Sequence, residues 1–231
     1  MPAYVIPDAL QGYAMHVRGR VHCWESTPAA QAALVVIDMQ NYFVAPTSQG
    51  EAADAREVVP SINRLARAMR ERGGSVVWVQ NTTSETEKAW SVRHELQSPE
   101  RAQVRIDAMK LGAEGFQLWP TLEARPGDTR IVKRLYSAFI QGSSELPAWL
   151  RERGIEFVLI AGTYTDCCSL MSAQDAMMLN FRTIMVSDCN AGSTPQAHAA
   201  ALDCFFTYSG DVLSTDEVIA RLHPVATAVA A

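Results

Sequence analysis

Two adjacent cysteines, Cys167 and Cys168, follow the turn Gly162-Thr163-Tyr164-Thr165-Asp166. Before the turn lies a short apolar run at 157–160. After it Leu170, Met171, Ala173, Ala176, Met177 and Met178 recur at helical spacing. The run reads as a strand buried on both faces, and the spacing that follows reads as a helix. The thiols therefore stand at a helix N-terminus, where unpaired backbone N–H groups and the positive end of the dipole favour a thiolate. A thiolate present at neutral pH is a nucleophile. Free cysteine is also among the most buried residue types, so the pair alone does not decide between attack and packing.

Two charged residues occupy similar places. Asp38 follows the apolar run A-L-V-V-I at 33–37, and Lys133 follows D-T-R-I-V at 128–132. Asp often only forms a turn, and a strand-end Lys is usually solvated. In parallel α/β sheets, however, ligands gather at the carboxyl ends of strands. A carboxylate there can take a thiol proton and return it to a leaving amine, while an ammonium favours the charged forms of both neighbours. Such a set suits acyl transfer. Spacing alone does not show that the three residues meet. Asn81, after the strand S-V-V-W-V at 75–79, has an amide able to donate and accept at a substrate carbonyl or carboxylate, and it serves equally as a turn residue. Tyr136 and Phe139 line a pocket or pack the core.

These residues need a scaffold of alternating strands and helices. Residues 54–72 carry Val58, Val59, Ile62, Leu65, Ala66 and Met69 on one helical face, closed by Gly73-Gly74. Helices are also expected at 147–153 and 195–208, strands at 183–186 and 211–213, and a capping box at Ser214-Thr-Asp-Glu217. The alternation predicts an α/β fold: a doubly wound, mostly parallel sheet with helices on both faces. Residues 1–32, with prolines at 2, 7 and 28 and Tyr4, Tyr13 and Trp24, read as an irregular arm over the domain or a neighbouring subunit. Residues 33–231 read as one domain. Within it, 82–127 is a long polar stretch with weak periodicity, partly helical near 99–109. Loops of that length are usually functional, so it reads as a cap over the site, with a solvated insertion as the alternative.

The chain has 231 residues, 48% hydrophobic and 19% charged, with a formal net charge of −5. That balance fits an ordinary globular domain and gives no broad cationic field for nucleic acid or an anionic membrane. No apolar run approaches membrane-spanning length, and the first residues lack the regions of a signal peptide. The five cysteines have no metal-ligand spacing, and a reducing cytoplasm is expected.

Three segments resemble the isochorismatase-like cysteine hydrolases, the family of nicotinamidases, N-carbamoylsarcosine amidohydrolase and ureidoacrylate amidohydrolase. They are A-L-V-V-I-D-M-Q-N-Y-F at 33–43, I-V-K-R-L-Y-S-A-F at 131–139 and A-G-T-Y-T-D-C-C-S-L-M-S-A-Q-D-A at 161–176. The resemblance implies a triad of Asp38 (general base and acid), Lys133 (electrostatic partner) and Cys168 (nucleophile). Cys167 occupies a place that the family usually fills with a small apolar residue. A cis peptide is implied between Thr163 and Tyr164, with the Tyr164 and Cys168 N–H groups forming an oxyanion hole. Asn81, Phe43 and Tyr136 are the expected substrate contacts. The histidines that hold a metal in nicotinamidases have no counterpart at 41–50 or 80–87, so no metal and no other cofactor is expected. True isochorismatases generally lack the cysteine, so Cys168 points to a C–N bond. The resulting expectation is a metal-independent cysteine amidohydrolase for a small amide or carbamoyl (ureido) compound, assembled as a homo-oligomer (dimer or tetramer). The alternatives are a vinyl-ether hydrolase of isochorismatase type and a non-catalytic thiol sensor.

Overall fold

In the computed structural model, which describes residues 4–224, six parallel strands form one sheet. They are β1 (Ala32–Ile37), β2 (Ser75–Asn81), β3 (Thr129–Lys133), β4 (Phe157–Thr163), β5 (Arg182–Ala191) and β6 (Asp211–Leu213). Their order across the sheet is β3-β2-β1-β4-β5-β6. The chain works outward in one direction from β1 to β3 and in the other from β4 to β6. The order therefore reverses between β1 and β4, and a crevice opens at the carboxyl ends of these two central strands.

Both faces of the sheet are covered, as its apolar strands require. Leu34, Val36, Trp78, Leu159 and Ile184 point to one face, where they pack with α2 (Val59–Glu71). Val35, Ile37, Val77, Val79, Val158 and Ile160 point to the other. There they meet α4 (Leu146–Glu152), α5 (Leu170–Met178) and α6 (Pro195–Tyr208). The helix expected over 54–72 is divided: a 3-10 turn, Ala53–Arg56, precedes α2, and Pro60 stands in the first turn of α2, where its missing N–H is no loss. The last helix, α7 (Thr215–Arg221), opens with a capping box between Ser214 and Glu217.

The N-terminal segment departs from its reading as an irregular arm. Asp8–Arg18 is a helix, α1, closed by Gly19 in the left-handed conformation (φ 70°). It packs on α6, with the Arg18 guanidinium 4.5 Å from the centre of the Phe206 ring, while Tyr4 Oη donates to Asp203 (2.6 Å). Further on, Thr27–Pro28 pairs in parallel with Leu222–His223. The segment thus wraps its own domain. Residues 1–3 and 225–231 lie outside the described residues.

The stretch 82–127 is built from short pieces. Thr86–Ala89 and Ser91–Glu95 are single helical turns, α3 spans Pro99–Ala108, and Glu114–Phe116 is a 3-10 turn. It folds against the segment that follows β1. Trp119 N donates to Met39 O (2.9 Å), Asn41 N donates to Gln117 O (2.8 Å), and Gln40 bridges to Leu118.

Candidate active site

Asp38, Lys133 and Cys168 converge at the crevice, each by a different local device. Asp38 is the first residue beyond β1 and adopts φ 55°, a left-handed conformation that Asp tolerates better than most side chains. Its N–H donates to Val79 O (2.9 Å), so the backbone leaves the sheet at a fixed point. Lys133 is the last residue of β3, in register with Asn81 on β2. Its side chain crosses the end of β2 to place Nζ 2.8 Å from Asp38 Oδ2, and both side chains are fully buried. Nζ also donates to Leu135 O and Tyr136 O, each at 3.0 Å. Neither oxygen of Asp38 has a donor in regular hydrogen-bond geometry, so the Asp38–Lys133 contact is a close ion pair, and the carboxylate keeps accepting capacity. A catalytic pair is often loosely aligned before substrate arrives.

Cys168 sits in a wide turn, Thr165–Ser169, with π-helical hydrogen bonding, immediately before α5. Four contacts hold this turn. Asp166 accepts from Ser193 N (2.8 Å) and Ser193 Oγ (2.7 Å), Thr165 Oγ1 lies 2.8 Å from His198 Nδ1, and Ser172 Oγ accepts from Ala138 N (3.0 Å). The first two tie the turn to the β5–α6 connection, the third ties it to α6 itself, and the fourth ties α5 to the loop after Lys133. Upstream, Gly162 has φ 116°, and a Cβ there would lie 2.0 Å from Ile37 O. Only glycine lets β4 run this close to the end of β1, which is what sets the thiol beside Asp38. The Thr163–Tyr164 peptide is cis. Cys167 N and Ser169 N both donate to Tyr164 O (3.1 Å each), so the turn closes around the Cys168 N–H.

The protonation states follow from burial and proximity. Burial pushes the Asp38 carboxyl up, against the opposing pull of Lys133 and of the neighbouring Cys168 thiol. Lys133 loses to burial but gains more from Asp38 and Cys168, and its pKa rises, so it stays an ammonium. The Cys168 thiol is pushed well up, first by sharing its proton with the Cys167 sulfur and then by burial. Cys167, less buried, is pulled down by the same shared proton. The expectation of a thiolate stabilised at a helix N-terminus is therefore corrected. Cys168 precedes α5 inside a closed turn, where the proton shared with Cys167 and then burial work against its charged form. At rest Cys168 is a neutral thiol, and the raised Asp38 carboxyl stands near it.

The other expected residues divide. Phe43 is buried in the short helix Asn41–Val44, where its ring meets Tyr42 and Tyr164 edge-on at 5.0 and 6.0 Å. Tyr164 Oη donates to Gly50 O (2.5 Å). Tyr136 is half-buried, edge-on to Trp90 at 4.7 Å, and shares with Trp90, Ile140 and Met171 a groove of about 330 Å³. Larger clefts, of about 760 and 460 Å³, are lined by other surfaces and include no triad residue. Asn81 is buried with its amide already engaged: Nδ2 donates to Leu135 O (3.3 Å), and Oδ1 accepts from Arg105 Nη2 (3.2 Å).

Two residues escaped the sequence reading. Gln40 is fully buried and ties the crevice to the cap: its Oε1 accepts from Asn81 N (2.7 Å) and its Nε2 donates to Asn81 O (3.0 Å) and Phe116 O (2.8 Å). Arg105, on α3, is 4% exposed and lies close enough to Cys168, Tyr42 and Tyr136 to feel their charge. A signal existed for Arg105, since Ala102 and Ile106 stand at i−3 and i+1 on the buried face of the same helix. Among the described residues, no three His, Cys, Asp or Glu side chains converge as metal ligands, and no helix is long and apolar enough to cross a membrane.

Known proteins agree with this architecture. A cysteine hydrolase from Pseudomonas syringae pv. phaseolicola superimposes with a TM-score of 0.78 at 22% identity, over 87% of this chain and 96% of the other. N-carbamoylsarcosine amidase from Thermoplasma acidophilum does so with a TM-score of 0.64 at 25% identity, over 80% of this chain and 97% of the other. An Arabidopsis thaliana protein described as a probable inactive nicotinamidase is 29% identical over 181 residues, 77% of this chain and 86% of its own. The Isochorismatase domain model matches residues 32–217, from the first residue of β1 into α7, and the chain belongs to the isochorismatase family of hydrolases.

Proposed function

We propose that this protein is a cysteine amidohydrolase that cleaves a C–N bond of a small amide or carbamoyl (ureido) compound through a thioester on Cys168. The observation that carries this reading is the fully buried Asp38–Lys133 ion pair set beside the buried Cys168 at the sheet's switch point. A vinyl-ether hydrolase would have no use for a thiol so placed. Asp38 takes the Cys168 proton as the sulfur attacks the carbonyl carbon. The carbonyl oxygen becomes an oxyanion facing the Tyr164 and Cys168 N–H groups; one such donor is typically worth about 3 kcal/mol of barrier. The C–N bond breaks, and the nitrogen leaves with the proton held by Asp38. Water then attacks the thioester and gives a proton to Asp38. The acid is released, and the proton returns to sulfur. Lys133 keeps its charge throughout and restrains the Asp38 carboxylate between these two transfers.

The test is intact-protein mass spectrometry during turnover of a panel of small amides and ureido compounds, with ammonia or amine release read in parallel. A transient acyl mass on Cys168 is expected. Cys168→Ala should lose the adduct and at least about 10⁴-fold in turnover, while Cys167→Ala should still form the adduct. An adduct on Cys167, or turnover retained without Cys168, would overturn the assignment.

A further inference from the structure

Among the described residues, Arg105 is a buried cation with no carboxylate at ion-pair distance. Its side chain comes from α3, whose C-terminal end is stapled to the tip of β2: Thr83 Oγ1 donates to Ile106 O (2.6 Å), and Thr82 Oγ1 donates to Met109 O (3.0 Å). That anchoring aims the guanidinium inward at the crevice. Its one side-chain hydrogen bond goes to a neutral acceptor, Asn81 Oδ1 (3.2 Å). Among the described residues, no carboxylate lies within ion-pair distance of it, although Arg56, Arg70 and Arg182 elsewhere in the chain all have one. A second guanidinium, that of Arg93, stands 5.6 Å from the centre of the Tyr136 ring, with its Nε buried and unpartnered, and the two cations repel each other. Tyr42, Tyr136 and Cys168, which ease Arg105, are neutral near pH 7, and the carboxylate that feels its charge, Asp38, is already paired with Lys133.

Burying one charge costs several kcal/mol unless it is paired, and a second like charge adds to that cost. Such a site becomes favourable only when an anion enters it. A guanidinium offers its fork to a planar carboxylate in two parallel hydrogen bonds. We infer that Arg105 anchors a carboxylate carried by the substrate, so that the Cys168 site takes small amide or N-carbamoyl acids in preference to their neutral counterparts. Asn81 then acts as a positioning residue, holding the guanidinium from behind through Oδ1. The cap supplies the charge that selects, and the strand ends supply the groups that react. This inference rests on the amidohydrolase reading for the substrate class, but not for the anion site itself.

The test needs no substrate. Iodoacetate and iodoacetamide differ in bearing a carboxylate or a neutral amide, and both alkylate thiols. Their rates at Cys168 would be compared, by peptide mapping at constant ionic strength, with those at the exposed Cys204 in the same molecule. The iodoacetate-to-iodoacetamide ratio at Cys168 is expected to exceed that at Cys204 by about 10-fold or more, the scale of a local field in a narrow cleft. Arg105→Gln should bring the ratio down to that of Cys204, and Arg105→Lys should restore part of it. Acetate should slow iodoacetate alkylation of the unaltered protein more than acetamide does, a comparison that requires no variant. Equal ratios at the two cysteines, or a high ratio that survives Arg105→Gln, would overturn the anion site. Amide turnover with a flat ratio would sink this inference alone. A Cys168 reached by neither reagent would sink both the anion site and the nucleophile.

Discussion

The turn that carries Cys168 and the cap that carries Arg105 face the same crevice but are built on opposite principles. The turn is the continuation of a central strand. Its backbone is held by Gly162 against β1, by Asp166 against the β5–α6 connection and by Thr165 against α6. The cap is a chain of short helices docked on strand ends by side-chain hydrogen bonds, from Thr82, Thr83 and Gln40. Groups that must meet within a fraction of an ångström stand on the sheet. The group proposed to choose among ligands stands on the insertion, where sequence can change without moving the strand ends.

The largest effect that separates the two regions is on stability. Lys133→Met would leave Asp38 buried without its cation and should cost about 3–5 kcal/mol, read as a lower urea midpoint. Arg105→Met removes a cation that has no carboxylate to orphan. Relief of the cost of burying an unpaired charge should outweigh the one hydrogen bond lost to a neutral amide, so the urea midpoint should rise rather than fall. If the two variants were equally destabilised, Arg105 would be a structural ion-pair residue, and the division between reacting sheet and selecting cap would fail.

A smaller but more specific effect lies in the pH dependence of the turn's chemistry. Burial raises the Asp38 carboxyl. A base must be deprotonated to act, and a raised pKa holds its proton to higher pH. Inactivation by iodoacetamide should therefore fall, on acidification, through a pKa above the ordinary carboxylate range, and Asp38→Asn should abolish that limb. The pKa of Lys133 is raised as well. Its stabilising charge is fully present below the ordinary lysine value and is lost only as the pH rises through its higher folded value, so Lys133 sets no limb near neutrality. An acid limb at or below the ordinary carboxylate range would mean that Lys133 outweighs burial at Asp38. Arg105 adds only the smallest of the pulls that lower the Asp38 carboxyl, so Arg105→Gln should move the limb slightly to higher pH without abolishing it.

The same contrast governs what could be read without the structure. Strands buried on both faces leave continuous apolar runs, and a residue just beyond such a run must stand at the sheet's edge. Asp38, Lys133 and Cys168 were therefore placeable, and the capping box at Ser214 marked its helix. Their convergence was not placeable, because it depends on strand order, which no run of residues encodes locally. The helix α1 was hidden by the prolines at 2 and 7 and by its shallow burial, with only Ala14 buried, although Leu10, Tyr13, Ala14 and Val17 stand at helical spacing. The helix α3 was legible near 99–109, but Arg105 was hidden by its type, since a charged residue is not expected on the buried face of a helix. The thiol's raised pKa was missed because the dipole argument assumes a cysteine on an open helix end, and Cys168 lies within a closed turn.

The smallest expected effect tests whether the cap only selects. Trp90 meets Tyr136 edge-on and borders the groove beside the site, but touches none of the triad. Trp90→Ala should cost about 1 kcal/mol of stability, the worth of such an aromatic pair beyond its area. For a substrate that reaches the groove, KM should rise while kcat stays nearly constant, the signature of lost binding that is uniform between ground and transition states. A fall in kcat at unchanged KM would instead tie Trp90, through Tyr136 and the carbonyl that accepts from Lys133 Nζ, to the setting of the ion pair. In that case the cap would take part in positioning the chemistry, and the boundary between selecting and reacting residues would run through Tyr136.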